Sequence, residues 1–85
     1  MKIKYTKHAE LKFKDLAELG IKLTYRFVNE IIKSPVHEDK LTDFPNKILS
    51  GKLDDNHVLR VVCKKEGVII LVITFYPAKK ERYEI

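Results

Sequence analysis

The feature that most constrains this chain is the uncharged run VIILVITF, residues 68–75, in which Thr74 is the one polar side chain. An apolar run of this length is typical of a strand that is buried on both faces. Tyr76 and Pro77 end the run, and the basic stretch AKKER follows at once. The sequence therefore predicts a central strand that delivers a polar, cationic site to one edge of a sheet.

The length of the chain limits it to one domain, which we place at residues 1–85. At 85 residues, folding buries roughly 60–65% of the chain's surface, so the core is thin. The single Cys63 excludes an intramolecular disulfide and indicates a reducing compartment. We find neither a transmembrane run nor an apolar signal core. These features predict a cytoplasmic protein that does not interact with a membrane.

The net charge of +5 is unevenly distributed. Residues 1–14 carry five lysines against Glu10, a net +4, whereas residues 15–60 carry seven bases against eight acids, a net −1. Residues 61–85 carry five bases against three acids, a net +2. If the two ends meet, they form a positive face suited to nucleic acid or to an acidic protein. An ordinary solvated surface is the alternative.

The first half of the chain predicts a short strand followed by two helices. Residues 2–6 alternate as a half-buried strand, and Thr6 suits the N-cap of a helix that begins at Lys7 and stops at Gly20. Thr24 suits the N-cap of a second helix, which must end before Pro35. The two helices form an αα-hairpin.

The second half predicts a loop over residues 35–45, with or without a short strand around Leu41, and then strands over residues 46–53, 57–64 and 68–76. The fold class is therefore α+β. It comprises an N-terminal strand, an αα-hairpin and a three- to four-stranded antiparallel sheet packed on the helices.

The turn between the last two strands decides which side chains share a face. A three-residue loop, Lys65-Glu66-Gly67, pairs Arg60 with Val72 and places Arg60 on the face of Thr74 and Tyr76. The helices then cover the opposite face, and the side chains of 68, 70 and 72 lie on the uncovered one. A two-residue loop would instead set Arg60 opposite Ile73 and bury its guanidinium among aliphatic side chains, at a cost of several kcal/mol.

Individual residues suggest chemistry without forming a strong catalytic motif. His8 and Lys12 lie one turn apart on the first helix, where His8 is an acid/base or phosphate-contacting group, or a capping residue. Arg60 matches phosphate oxygens with two donors, or forms a surface salt bridge. Tyr76 stacks on a base, donates a proton, or packs against Pro77. The three histidines lack metal-ligand spacing, so we expect no metal site.

Several motifs in this order resemble the RelE/ParE toxin superfamily, in particular its BrnT-like and uncharacterised small-domain branches. The resemblance spans nearly the whole chain. Its motifs are YTKHAELK, then Gly20-Ile21, then a helix ending near a proline, and finally HVLRVVCKKEGVIILVITFYPAKKERY. The chain departs from the pattern in a longer first helix and in having only three arginines.

The resemblance implies a RelE-like fold and a cofactor-free ribonuclease that acts on RNA or on the ribosome and is silenced by a small antitoxin protein. Cleavage would proceed by attack of a ribose 2′-OH on the adjacent phosphorus. The roles carried over are a phosphate clamp for Arg60, substrate orientation for Tyr76 and a base from His8 or Lys12. RNA contacts are assigned to Lys12 and the tail cations Lys79, Lys80 and Arg82.

Fold resemblance does not establish activity, so whether the chain is an enzyme stays open. One alternative is a non-catalytic module of the same fold that binds nucleic acid or protein. The other is an interaction protein, such as a homodimer, whose Val68, Ile70 and Val72 face is covered by a partner.

Overall fold

The computed structural model describes residues 2–80, which form two helices and a five-stranded sheet. The elements in chain order are β1 (Lys2–Tyr5), α1 (Lys7–Glu18), α2 (Tyr25–Lys33), β2 (His37–Asp39), β3 (Lys47–Lys52), β4 (His57–Glu66) and β5 (Ile69–Lys79). The strands are ordered β1-β5-β4-β3-β2. Neither helix within residues 2–80 has the length and apolar character that a membrane crossing requires.

The α+β class is confirmed, but the sheet has more strands than predicted and is mixed rather than purely antiparallel. β1 joins the sheet parallel to β5, whereas all other neighbouring strands are antiparallel. β2 lies within the segment predicted as a loop and adds a short edge strand beside β3. β1 was predicted as a strand, although its parallel pairing in the sheet was not. β2 has only three residues, a length at which sequence alternation carries little information.

Both helices are N-capped by the predicted threonines. The hydroxyl of Thr6 accepts a hydrogen bond from Ala9 N at 3.1 Å, and that of Thr24 accepts one from Phe27 N at 3.1 Å. α1 ends at Glu18, and Gly20, the residue after the C-cap Leu19, adopts φ +85°. Gly20 N donates to Ala17 O and the next residue's N–H donates to Leu16 O, the paired bonds of a Schellman motif.

The helices pack on one side of the sheet, which we call the helix face. The core residues that meet there are Ala9, Leu16, Val28, Ile31, Ile32, Leu49, Leu59, Val61, Cys63, Val72 and Phe75. Phe13 of α1 extends this contact, with its ring centroid 4.7 Å from that of Phe75. We call the opposite side the distal face. It carries Ile48, Ser50, Val58, Arg60 and Val62 from the neighbouring strands β3 and β4.

The predicted pairing of β4 with β5 is wrong, and a β-bulge is the reason. The turn contains two residues, Gly67-Val68, and Glu66 pairs with Ile69. Cys63 pairs with Val72 but Val62 pairs with Thr74, so Ile73 is an extra residue on β5. Beyond this bulge Arg60 lies opposite Tyr76. The shared face predicted for Arg60, Thr74 and Tyr76 is therefore confirmed, although through a different register.

Because of the bulge, the side chains in the first half of β5 lie on the faces opposite to those predicted. Val72 is 0% exposed in the core, and Ile70 packs against the same core. Both side chains were predicted on the uncovered face, and that prediction is wrong. Val68 alone of the three remains exposed, at 79%, so they do not form the continuous apolar face proposed for a homodimer.

The Thr6 hydroxyl should contribute to the stability of this arrangement, because it caps α1 and also donates to Ile73 O at 3.0 Å. Thr6→Val keeps the shape of the side chain but loses both hydrogen bonds, so we expect a loss of about 2–3 kcal/mol in the free energy of unfolding. Thr6→Ser keeps the hydroxyl and should lose less than about 1 kcal/mol. Urea unfolding followed by circular dichroism measures both. Equal losses in the two variants would contradict this role.

Candidate functional site on the distal sheet face

A row of polar side chains crosses the distal face. The cross-strand partners His37, Ser50, Arg60 and Tyr76 come from β2, β3, β4 and β5 in turn. Directly opposed residues project from the same side of a sheet, so these four share one face. In the two adjacent rows apolar side chains occupy the centre, with Ile48 and Val62 in one and Val58 in the other, and polar side chains lie at the ends. The polar row is thus continuous across four strands of the sheet.

Arg60 lies at the centre of this row and is only 4% exposed. Its Nε donates a hydrogen bond to the Tyr76 hydroxyl at 3.0 Å, and its guanidinium carbon lies 5.9 Å from the centroid of the Tyr76 ring. A guanidinium nitrogen also lies 4.0 Å from a carboxylate oxygen of Asp39. These contacts hold the guanidinium in place, and they orient the phenol of Tyr76, which is half-buried at the surface.

Asp39 connects this site to the loop that follows β2. Its Oδ1 accepts hydrogen bonds from Leu41 N at 2.9 Å and Thr42 N at 3.0 Å, and its Oδ2 accepts one from the Thr42 hydroxyl at 2.6 Å. These hydrogen bonds, together with the nearby charge of Arg60, lower the pKa of Asp39 to about 2. Asp39 is therefore an ionised neighbour of Arg60 throughout the physiological pH range.

Ser50 lies between His37 and Arg60 in the row and is 0% exposed. Its Oγ has no hydrogen-bond partner among residues 2–80. A buried hydroxyl in that state costs about 1–3 kcal/mol relative to one that is hydrogen-bonded. Ser50 is therefore a polar position in the middle of the sheet that packing alone does not explain.

The strands of the distal face are cationic. The charged side chains that alternate onto it are Lys2, Lys4, Lys52, Arg60 and Lys64 against Asp39 and Glu66. Lys52 and Lys64 form ion pairs with Asp55 and Glu66 at 3.4 and 3.7 Å. Lys2 and Lys4 are exposed and form no ion pair within residues 2–80. They are the two lysines of this face most available to an anionic ligand.

The structure brings together only part of the predicted site. Arg60 and Tyr76 are in contact, whereas His8 and Lys12 lie on α1, which packs on the helix face. His8 is exposed there and Lys12 is half-buried. The sheet therefore lies between the predicted base and the predicted phosphate clamp. A single catalytic centre made of His8, Arg60 and Tyr76 stays a prediction.

The predicted RNA-binding cations are also dispersed. Lys79 ends β5 opposite His57, and Lys80 N donates to Asn56 O at 2.9 Å beside the turn between β3 and β4. Both side chains are exposed. Lys12 lies in the helical layer, and Arg82 lies outside the described residues. The residues 2–80 contain no group of three His, Cys, Asp or Glu side chains placed to hold a metal ion.

Sequence reasoning missed His37, Asp39 and Ser50. His37 and Asp39 fell in a segment without periodicity, and their short strand forms beside β3. Ser50 carried a usable signal, because it alternates onto the same face as the apolar Ile48 in a strand that was predicted. Comparisons with family models, curated proteins and solved structures found no match to this chain.

Removing the Tyr76 hydroxyl should destabilise the fold, because Arg60 Nε then loses its acceptor in a buried position. A hydrogen bond to a charged group contributes about 1.5–3 kcal/mol, so we expect Tyr76→Phe to lower the free energy of unfolding by about 1–3 kcal/mol. Tyr25→Phe is the matched control, since no hydrogen bond of its hydroxyl is found within residues 2–80. Its effect should stay within about 0.5 kcal/mol. Similar losses in the two variants would argue against the Arg60 contact.

The pH dependence of stability should report on Asp39. Its folded pKa of about 2 lies below the ordinary value of 3.8, so its ionised form stabilises the fold above that value. This contribution disappears as the pH falls toward about 2. Asp39→Asn cannot ionise, so its Tm should lie below the wild-type Tm at pH 7, and the gap should close between about pH 4 and pH 2. Asp15→Asn, on the exposed surface of α1, should show no such closing gap in the same thermal scans.

Proposed function

We propose that this chain is a toxin-like domain that targets RNA through the distal face of its sheet, in the manner implied by its resemblance to the RelE/ParE superfamily. The observation that carries the proposal is the contact of Arg60 with Tyr76 on the face away from the helices. The oriented phenol offers a ring on which a base can stack, and the guanidinium that holds it adds positive charge close to that ring.

Tyr76 and the lysines of β1 make the direct contacts in this proposal. Arg60 is too deeply buried to reach a ligand as the structure stands, so it acts as a positioning residue for the Tyr76 phenol. Its charge still contributes to the potential above the face, since charges interact more strongly in a medium of low dielectric constant. Asp39 offsets part of that charge. Lys2 and Lys4 then supply phosphate contacts from the neighbouring strand β1.

Cleavage is the stronger form of the proposal. The ribose 2′-oxygen would bond to phosphorus as the bond from phosphorus to the 5′-oxygen breaks, while a base takes the 2′-OH proton and an acid protonates the leaving oxygen. Tyr76 is the group on the distal face suited to the acid. His8 or Lys12, the predicted base, would have to approach from the helical layer around the edge of β5.

A second candidate function is RNA binding without cleavage, and one observation favours it. His37 is the histidine that shares the distal face with Tyr76, but the two lie three strands apart. Neighbouring strands are about 4.8 Å apart, so their backbones are separated by about 14 Å. A base and an acid at that separation do not flank one phosphate. His37 and Tyr76 therefore do not form an acid/base pair for cleavage on the distal face.

Binding is tested with a fluorescein-labelled single-stranded RNA titrated at several salt concentrations. The double variant Lys2→Gln/Lys4→Gln should bind more weakly, and the slope of log K against log salt should fall by about 1.4, since each single-strand phosphate contact contributes about 0.7. The control Lys7→Gln/Lys14→Gln removes the same charge from exposed positions of α1 and should leave the slope unchanged. Absence of salt-dependent binding by the wild type would contradict both candidate functions.

Cleavage is tested by incubating the same RNA with the protein in EDTA and separating the products on a gel. The ribonuclease form of the proposal expects products from the wild type, and fewer from His8→Ala and from Tyr76→Phe when both variants remain folded. Binding with intact RNA would instead select the non-catalytic module. Growth arrest on expression, relieved by the same two variants, would support the toxin assignment and the existence of an antitoxin partner.

A further inference from the structure

A second feature lies on the helix face, where the sheet extends beyond the end of α2. A cavity of about 460 Å³ opens between the end of that helix, β1 and the β4–β5 hairpin. Ligand sites in proteins typically measure about 300–1,000 Å³ and combine apolar walls with a few polar groups. The size of this cavity therefore matches a small molecule better than a macromolecular surface.

The walls of the cavity are aliphatic. Ile3, Ile32, Leu49 and Ile70 line it, with the buried Cys63 among them. Ile70 lies on this side only because the bulge at Ile73 reverses the faces of β5. An occupant must therefore present an apolar body to these side chains.

The rim of the cavity is cationic. Lys33, Lys47 and Lys65 line it together with Glu38. Glu38 forms an ion pair with Lys47 at 3.3 Å and so offsets one of the three positive charges. Lys33 and Lys65 are exposed and form no ion pair within residues 2–80. Two positive charges thus remain at the mouth of an apolar cavity.

We propose that this cavity binds a small amphipathic anion, an aliphatic carboxylate whose chain contacts the isoleucine and leucine walls and whose carboxylate pairs with Lys33 and Lys65. Charge complementarity at the rim selects the anion, and the aliphatic walls select the chain. The site lies on the side of the sheet opposite to Tyr76, so it does not depend on the proposed RNA function.

The test uses octanoate as the probe and follows isoleucine and leucine methyl signals by NMR. Saturable shifts are expected for Ile32, Leu49 and Ile70, whereas Ile48 on the distal face should not shift. Octanol carries the apolar chain without the charge, and acetate carries the charge without the chain. Both should bind at least several-fold more weakly than octanoate.

The lysines are tested with the double variant Lys33→Gln/Lys65→Gln, which alters only exposed side chains. It should weaken octanoate binding by on the order of fivefold and leave octanol binding unchanged. Lys14→Gln/Lys22→Gln removes the same charge elsewhere and should have no effect. The proposal is overturned if the cavity methyls do not respond, if Ile48 shifts equally, or if the lysine variant binds octanoate normally. Binding to anionic phospholipid vesicles without a response to free octanoate would also overturn it, in favour of a membrane surface.

Discussion

The hydroxyl of Thr6 makes the interaction on which most of this architecture depends. It accepts the hydrogen bond that starts α1 and donates to the carbonyl of the bulged Ile73, while Thr6 N donates to Val72 O at 3.0 Å. One residue thereby joins the end of β1, the start of a helix and the irregular point of β5. A bulge leaves its extra residue outside the regular ladder, and here Thr6 provides a partner for the carbonyl of that residue.

Both proposed sites follow from the bulge. On the turn side of Ile73, Ile70 and Val72 face the helices, so Ile70 becomes a wall of the cationic cavity. On the other side, Thr74 and Tyr76 face away from the helices, so Tyr76 meets Arg60. Without the bulge, the side chains of one half of β5 would lie on the opposite face of the sheet. The fold thus presents an apolar site on one face and a polar row on the other by means of a single extra residue.

Arg60 shows how far the candidate site could be predicted. The argument that a guanidinium should avoid the aliphatic core correctly placed it away from the helices, on the face of Tyr76. It did not predict that Arg60 would be 4% exposed and close to Asp39. That neighbour comes from β2, whose pairing with β3 positions Asp39 beside the row. The charge balance of the site therefore depends on a contact between residues that are distant in sequence.

By itself the sequence determined the local elements: two helices capped by Thr6 and Thr24, and four strands, β1, β3, β4 and β5, with the last two joined by a tight turn at Gly67. Caps and glycine turns depend on interactions within a few residues, so they can be read from sequence. Only the tertiary structure decided the parallel pairing of β1 with β5, the register of β4 with β5 and the burial of Arg60. An uncharged run such as VIILVITF offers an apolar side chain to both faces in every register, so its alternation cannot select one. Packing against α1 and the hydrogen bond from Thr6 select it instead.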